Sequence, residues 1–341
     1  MTGTIEISEV SLDEWPILIS TFMDLTYEQD VAFIAAGAKR IGAQVRAFVV
    51  RRDGDLIGAA CLRIKIVPVL NRGIAYLSAG PIIEAGQFKG DTNRLKEVLM
   101  ALRMHLVDKE GHLLRIRLPT TTRDIAEADI LHANFFPTDR SHKYKTVLIN
   151  LDFDESTLRS KLHPKWRYEL RRAEGEDLEI IAGHSLAMVE RFLKLYRDMR
   201  SFKSFEEQID PVFLRNMVDT SFNFEVRIAR HEGLDVGGHV TAYTPACATY
   251  LFGATTELGR ALRAGYALGW DAVKSARAQG ICWFDLGGVD KTKNSPGYTF
   301  KIRTGGHEIS ALGPYEAGSH LGGIILRGIE GLYTATKNRR L

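Results

Sequence analysis

The chain has 341 residues, of which 45% are hydrophobic and 26% charged, and its formal net charge is +3. This length predicts two domains rather than one core, and so weak a positive charge does not indicate a dedicated nucleic-acid binder. No window approaches the roughly 18 apolar residues of a membrane span, and residues 1–13 lack a signal-peptide pattern, so we expect a cytoplasmic protein. The three cysteines have no Cys-x-x-Cys spacing, which predicts buried, unreactive thiols.

An internal repeat indicates the architecture. Residues 49–58 and 228–237 both consist of an apolar run, a charged turn with glycine, and a second apolar run. Gly54 and Gly233 hold the same place in the two copies, 179 positions apart. This pattern is typical of a β-hairpin, and its repetition at so long a period predicts two copies of one α/β domain. Chance similarity between two ordinary hairpins is the alternative.

Each half then continues with a helical pattern that ends at glycine and is followed by a strand pattern. Glycine often ends a helix because it enters the left-handed conformation at little cost. The predicted segments are a helix at 92–110 and a strand at 113–118 in the first half, and a helix at 265–279 and a strand at 281–286 in the second.

The change from a strand pattern to an acidic helix start near residue 150 predicts the domain boundary. We therefore expect a first domain at 1–152 and a second at 153–317. Apolar residues at helical spacing predict a further helix at about 318–341, with a basic end, that joins the first domain. These residues are Ile324, Ile325, Ile329, Leu332 and Tyr333.

The densest positive charge lies between residues 159 and 172. Pro164 suits a first helical position, and Trp166, Leu170 and Ala173 form an apolar stripe, so a helix is predicted at 165–174 that packs by one side.

Two arginines of this helix, Arg167 and Arg171, fall one turn apart, and Lys165 and Arg172 flank the stripe. Closely spaced guanidinium groups suit a diphosphate or a nucleic-acid backbone, since each donates two parallel hydrogen bonds. A solvated helix face is the alternative.

The start of the second-half helix, at Gly265, is a candidate site for an anionic group, because free N–H groups and a partial positive charge meet there. Acyl-CoA transferases of the GNAT superfamily carry Arg or Gln, two residues, Gly, one residue, and Gly or Ala at this point. Residues 262–267 match this pattern except that Leu262 replaces the polar residue.

The run 280–306 contains the other candidate groups. Asp285 ends a predicted strand, where ligands gather on open α/β sheets, although a cap for the turn at Gly287-Gly288 is an equal alternative. Alternation at 298–303 predicts a half-buried strand with Phe300 on one side and Lys301 on the other. A lone lysine on an apolar surface is costly unless an anion visits it.

Several common catalytic patterns are missing from the sequence. The ten histidines show no metal-ligand spacing, and no nucleophile elbow, phosphate-binding loop or dinucleotide fingerprint occurs. We interpret His239 as a packed or hydrogen-bonded residue rather than a base.

The second half resembles the FemABX family of aminoacyltransferases, which build peptidoglycan interpeptide bridges. The resemblance covers roughly residues 160–310, and the run Phe300-Lys301 is its most specific element. The segments that carry it are the basic helix, residues 250–254, 265–280, 285–288 and 297–301, and the pair Gly305-Gly306.

The resemblance implies an α/β (α+β) protein of two tandem GNAT-like domains, each a mixed, mostly antiparallel sheet flanked by helices. It implies transfer of an amino acid from aminoacyl-tRNA to an amine of a UDP-linked or lipid-linked muramyl peptide, or of another small peptide. Lys301 would stabilise the developing negative charge and Phe300 would shape the site. Apart from the resemblance, Asp285 is our candidate for helping the amine to lose its proton. The implied substrate-binding residues are Lys165, Arg167, Arg171, Arg172, Tyr250, Gly265, Tyr298 and Arg303.

No metal and no organic cofactor is implied, and a monomer is expected. The stretch 184–223 is too short for the long helical arm that several family members insert there. Two other interpretations stay open: an N-acyltransferase that uses acyl-CoA, and a binding module without catalysis that captures an anionic precursor or RNA.

Overall fold

The computed structural model describes residues 3–83, 93–121, 127–141, 143–202 and 210–338. Its α-helices are α1 (Trp15–Leu18), α2 (Val31–Ile41), α3 (Arg94–Arg103), α4 (Glu127–His132), α5 (Glu155–Lys161), α6 (Pro164–Glu174), α7 (Leu186–Phe202), α8 (Glu257–Ala261), α9 (Ala264–Ala278), α10 (Ser295–Ile302) and α11 (His320–Asn338). Its strands are β1 (Ile5–Val10), β2 (Gln44–Arg52), β3 (Asp55–Val67), β4 (Arg72–Ser78), β5 (Leu113–Arg117), β6 (Phe136–Pro137), β7 (Lys145–Asn150), β8 (Glu179–Gly183), β9 (Phe224–His231), β10 (Leu234–Tyr243), β11 (Cys247–Thr255), β12 (Trp283–Asp285), β13 (His307–Ser310) and β14 (Tyr315–Ala317).

The chain divides into two compact units. The first unit comprises Met1–Lys143 and Ala311–Leu341, and the second comprises Tyr144–Ser310. These limits differ from the predicted 1–152 and 153–317. The difference arises because β7 pairs with β12 and β13 in the second sheet, while β14 pairs with β5 and β6 in the first. Hydrogen-bond partners distant in the sequence decide which sheet a strand joins.

The two predicted hairpins have the same turn. Asp53 and Gly54 have φ angles of 51° and 92°, and Glu232 and Gly233 have φ angles of 50° and 80°. A turn with two left-handed central residues matches the twist of the strands on either side, and glycine enters that conformation without strain. The hairpins are β2–β3 and β9–β10, both antiparallel.

The two sheets also share one strand order. The first runs β1-β2-β3-β4-β5-β14-β6 and the second runs β8-β9-β10-β11-β12-β7-β13. In both, the fourth and fifth strands are parallel, and all other neighbouring strands are antiparallel. The sixth place is filled by a strand from beyond the repeat, β14 in one sheet and β7 in the other.

Helices cover both faces of the second sheet. A Cβ atom on Gly237 would meet Leu268 of α9, while one on the next residue, Gly238, would meet Phe192 of α7. Successive residues of a strand point to opposite faces, so α9 and α7 lie on opposite sides of β10. Helix α6 packs on α9.

Most predicted elements agree with the structure, but residues 298–303 do not form a strand. They lie largely in α10, where the Asn294 side chain accepts a hydrogen bond from the N–H of Gly297 and Pro296 occupies the first turn. A cap and an N-terminal proline favour a helix, and alternation over so few residues fits one helical turn as well. The predicted strand 281–286 shortens to β12.

The ends of several predicted elements also shift. The first-half helix continues beyond α3 as a π-helical segment, Met104–Lys109, and its predicted start at residue 92 lies outside the described residues. The basic residues Arg339 and Arg340, at the predicted end of the last helix, also lie outside the described residues. In α11, Ile324, Ile325 and Leu332 are exposed, whereas Leu326 is buried.

Within the described residues, no helix is long and apolar enough to cross a membrane. Cys61 and Cys247 are buried and Cys282 is half-buried, and all three are free thiols. Burial raises the pKa of the Cys61 thiol to about 12, so this thiol is unreactive near neutral pH. In the same part of the chain, no group of side chains is arranged to hold a metal ion.

Candidate functional site

The second sheet opens where its two parallel strands part. Strand β11 pairs with β12 only from Cys247 to Thr249, and it continues six residues further, to Thr255, beyond the end of β12. Just after β12, the backbone of Gly287 passes close to β11. A Cβ atom there would lie 2.5 Å from the carbonyl oxygen of Tyr250, and φ is +70°, so glycine is required. This opening is the candidate site.

Helix α10 presents Phe300 and Lys301 at the opening. Phe300 belongs to a cluster of three aromatic rings that joins α10 to α6 and α9. Its ring centroid lies 5.7 Å from Trp166 and 5.2 Å from Tyr266, and Trp166 lies 5.1 Å from Tyr266. Because aromatic contacts of this geometry add to the energy of burial, the cluster fixes the position of α10.

The Lys301 ammonium is held at the opening by two contacts. Nζ donates a hydrogen bond to the carbonyl oxygen of Gly288 at 2.9 Å, and it lies 5.1 Å from the centroid of the Tyr250 ring. Burial lowers the pKa of Lys301 to about 8, although the charge of Asp285 opposes this change. The group is therefore mostly a cation at neutral pH and loses its proton in mildly alkaline solution.

Asp285 contacts the turn that follows β12. Its Oδ1 accepts hydrogen bonds from the N–H of Gly287 at 2.7 Å and from the hydroxyl of Thr146. The side chain is buried. These contacts fit the turn-capping interpretation of Asp285 better than the acid–base one, and the charge of Asp285 acts on Lys301 from within the fold.

His239, which the sequence did not single out for chemistry, lies beside Tyr250. The two rings stack with centroids 4.3 Å apart. Burial, with the charges of Arg227 and Lys301, lowers the pKa of His239 well below its usual value, so the imidazole is neutral. Its Nε2 atom is buried and has no hydrogen-bond partner among the described residues. Burial also raises the pKa of Tyr250 to about 12.

A small pocket lies beside Phe300, with a cavity volume of about 20 Å³, which is room for about one water molecule. Its wall is almost wholly apolar, although Thr304 and His239 are among the lining residues. The lining also includes Trp166 and Trp270, whose indole nitrogens are buried without a partner in the described part of the chain.

The basic helix α6 forms as predicted, with Trp166, Leu170 and Ala173 buried. However, the cationic side chains of this helix differ in exposure and in hydrogen-bond partners. Arg167 is half-buried and donates to the carbonyl oxygen of Ser160 at 3.0 Å.

The nearby Arg159 forms an ion pair with Glu174. Lys165, Arg171 and Arg172 are exposed and form no ion pair with any described residue. The cationic surface of α6 is therefore smaller than its sequence suggests.

The other predicted binding residues lie apart from the pocket. Gly265 is in the first turn of α9, where a Cβ atom would meet nothing closer than 3.8 Å. The hydroxyl of Tyr298 donates to Glu308 at 2.7 Å. Arg303 is half-buried, and its carbonyl oxygen accepts from the N–H of His163. The structure thus brings Tyr250, Phe300 and Lys301 together, but not Tyr298 or Arg303.

Comparison with known proteins agrees with this fold. Residues 160–301 match the family model described as an acetyltransferase (GNAT) domain. The chain superposes on FemX with a TM-score of 0.77 at 16% identity, covering 91% of this chain and 96% of FemX. None of the curated proteins matches the sequence.

Two further solved structures are similar at lower scores. A protein of unknown function from Bacteroides thetaiotaomicron has a TM-score of 0.55 at 11% identity, covering 92% of this chain and 99% of its own. A tandem GNAT protein from the clavulanic acid biosynthesis pathway has a TM-score of 0.47 at 12% identity, with 92% and 98% covered. The match to the GNAT domain model and the superposition on FemX show a tandem GNAT-fold protein with the architecture of FemX, so the predicted FemABX-like fold is confirmed.

Proposed function

We propose that the protein is a cytoplasmic, monomeric aminoacyltransferase that moves an amino acid from aminoacyl-tRNA to an amine of a peptidoglycan-precursor peptide or a related small peptide. The observation that carries this proposal is the Lys301 ammonium, which lies where the sheet opens, over the ring of Tyr250, a residue that lines the apolar pocket. The GNAT-domain match supports acyl transfer, and the fold of FemX supports the choice of donor and acceptor.

Lys301 suits the charge that develops in this reaction. When the acceptor amine attacks the ester carbonyl of the donor, its oxygen becomes negative, and then the bond from carbonyl carbon to ribose oxygen breaks. The amine gives up a proton and the ribose oxygen gains one, so the exchange balances without a metal or an organic cofactor. A positioned cation beside such an oxygen stabilises the transition state by roughly 3–4 kcal/mol.

The exposed cations of α6 suit a substrate that carries phosphate. Lys165, Arg171 and Arg172 lie on the same helix as Trp166, which contacts Phe300. We assign them to the tRNA backbone or to the diphosphate of the acceptor, because exposed cations without protein partners bind phosphate at the lowest desolvation cost.

The direct test is incubation with charged tRNAs and a UDP-linked muramyl pentapeptide, with mass spectrometry of the peptide. We expect an amide-linked addition of one residue with at least one charged tRNA, and loss of the product with Lys301→Ala. Absence of product across the full panel of aminoacyl-tRNAs would contradict the proposal.

An N-acyltransferase that uses acyl-CoA is the second candidate, favoured by the match to the acetyltransferase domain model. Two features at the start of α9 oppose it. Leu262 occupies the place of a polar donor, and Arg263 is engaged with Glu169 at 2.8 Å. Calorimetric titration with CoA separates the candidates, since tight binding would favour the CoA-dependent reaction. A binder without catalysis would retain its affinity in Lys301→Ala.

A further inference from the structure

One short turn, residues 286–288, bonds to both charged groups at the opening of the second sheet. The N–H of Gly287 donates a hydrogen bond to Asp285 at 2.7 Å, and the carbonyl oxygen of Gly288 accepts one from Lys301 at 2.9 Å. A Cβ atom on Gly287 would lie 3.7 Å from the ammonium nitrogen of Lys301. The carboxylate and the ammonium are therefore bonded to the same turn.

This turn has little freedom to place its carbonyl oxygen elsewhere. Gly287 has a φ of +70°, and a Cβ atom there would lie 2.5 Å from the carbonyl oxygen of Tyr250. The hydroxyl of Thr146 lies within hydrogen-bond distance of both Asp285 Oδ1 and the carbonyl oxygen of Gly287. Asp285 and Thr146 are both buried. Buried hydrogen bonds to a charged group are stronger than those between neutral groups, so the carboxylate fixes the turn.

The repeated scaffold does not require an acid at this position. Arg63 and Ala242 are equivalent, because they lie 179 positions apart. The cross-strand pairs that start from these two residues lead to Arg115 in the first sheet and to Asp285 in the second. Arg115 is a buried cation that pairs with Glu316. The carboxylate of Asp285 is therefore a feature of the second unit's site and not of the shared fold.

Asp285 also affects the charge of the ammonium. Burial favours the neutral amine and lowers the pKa of Lys301 to about 8, whereas the charge of Asp285 opposes this change. Tyr250, which lies beneath the ammonium, and His239, which stacks on Tyr250, are both uncharged near neutral pH. Burial raises the pKa of the first to about 12 and lowers the pKa of the second well below its usual value. Asp285 thus supplies negative charge that favours the protonated form of Lys301.

On the basis of the acyl-transfer function proposed above, we propose that Asp285 is a positioning residue for Lys301. Its carboxylate holds the turn whose carbonyl oxygen orients the ammonium, and it is the counter-charge of that ammonium within the fold. Lys301 stabilises the oxygen of the reacting ester, and Asp285 acts only through Lys301. In this role Asp285 takes no proton from the acceptor amine.

Asp285→Asn separates the charge from the hydrogen bond. The side-chain oxygen of asparagine still accepts from the N–H of Gly287, whereas the negative charge is removed. Asp290→Asn is the matched control. The Asp290 carboxylate likewise accepts from a backbone N–H two residues later, that of Thr292, but Asp290 is exposed.

The charge of Lys301 is measured on the full chain without substrate. The ¹³Cε and ¹⁵Nζ signals of labelled lysine are followed against pH, and the signals of Lys301 are assigned by their absence in Lys301→Arg. We expect the pKa of Lys301 to be lower in Asp285→Asn than in wild type by at least about half a pH unit, and to be unchanged in Asp290→Asn. Equal pKa values in the three proteins would overturn the proposal.

The pH profile of amide formation gives a second readout. In Asp285→Asn the alkaline fall in kcat should begin at a lower pH than in wild type, because the ammonium loses its proton sooner. A purely structural defect would lower kcat at every pH without moving this fall. Loss of activity at every pH with an unmoved Lys301 pKa is the result expected of a general base, and it would overturn the positioning role.

Thr146→Val tests the turn independently, and it serves if Asp285→Asn does not fold. This variant removes the hydroxyl beside the turn and retains the carboxylate. We expect kcat to fall several-fold while the alkaline fall stays at the same pH, and Thr146→Ser to recover the activity. An unchanged kcat in Thr146→Val would show that the hydrogen bonds of the turn do not position Lys301.

These results separate the two proposals. If the Lys301 pKa falls in Asp285→Asn but no aminoacyl-tRNA supports transfer, the positioning role stands and the donor assignment fails. If wild type transfers the amino acid but Asp285→Asn changes neither the Lys301 pKa nor the pH profile, only the positioning role fails.

Discussion

The same positions of the repeat have opposite character in the two units. Phe48, Ala60 and Leu62 of the first unit correspond to Arg227, His239 and Thr241 of the second, at the constant spacing of 179 residues. The first set lies in a closed apolar core. The second set consists of a buried arginine, a neutral histidine and a buried threonine, and His239 lines the pocket.

The parallel strands differ in the same way. In the first unit β4 and β5 stay paired up to Ser78, the last residue of β4. That end is closed further by Gln29, whose side chain donates to the carbonyl oxygen of Ser78 at 2.6 Å. In the second unit β11 leaves β12 after three pairs and creates the opening. One scaffold therefore gives a stable core where its strands stay together and a candidate site where they part.

The largest effect is expected from a substitution in the apolar core of the first unit. Phe48→Ala should lower the free energy of unfolding by about 3–5 kcal/mol, because a cavity replaces a fully buried ring. Denaturant unfolding measures this change, and Val69→Ala, at an exposed position, is the control. Activity per folded molecule should be retained. A loss of activity in the folded fraction would show that the first core also serves the reaction.

Lys301→Ala tests the open site directly. We expect kcat for amide formation to fall by about 100- to 1,000-fold, because the cation beside the developing oxyanion is lost. Lys65→Ala is the control, since Lys65 belongs to β3 of the first unit. Steady-state kinetics measure both. A fall of less than about 10-fold would show that Lys301 does not stabilise the oxyanion.

The pH dependence of activity tests the charge of Lys301. With a pKa lowered to about 8, the cation is present below pH 8 and is lost as the pH rises through that value. Activity should therefore fall on the alkaline side of pH 8, and Lys301→Arg should move that fall to higher pH. A rise through pH 8 would instead indicate that the neutral amine acts as a base.

His239 should make stability depend on pH. Its pKa is lowered in the folded state, so below about pH 6.5 the unfolded chain binds a proton that the folded chain excludes. Stability is unaffected above that value and should fall as the pH decreases below it, by at most about 1.4 kcal/mol per pH unit. Unfolding of wild type and His239→Phe between pH 5 and 8 measures this, and parallel curves would contradict it.

The smallest effect concerns the surface of α6. Arg171→Ala and Arg172→Ala should each weaken tRNA binding modestly and lower the slope of log affinity against log salt by about 1, if each contacts one phosphate. Arg159→Ala is the matched control, because Arg159 is already paired with Glu174. Equal salt slopes for all three variants would show that neither Arg171 nor Arg172 contacts a phosphate.

The sequence by itself determined the repeat, the hairpin turns and the helices α6 and α9. These features depend on local patterns: a turn that needs glycine, a proline at a helix start, and an apolar stripe at helical spacing. The FemABX resemblance also singled out Phe300, Lys301 and Tyr250, which the structure brings together at one opening.

Only the tertiary structure decided the surroundings of those residues. It shows Asp285 as a buried cap, Lys301 on a helix, and His239 beside Tyr250 with an unpaired nitrogen. It also assigns β7 and β14 to their sheets. Pairing between distant strands and the burial of a titratable group depend on what lies across the fold, and neither is encoded in the spacing of neighbouring residues.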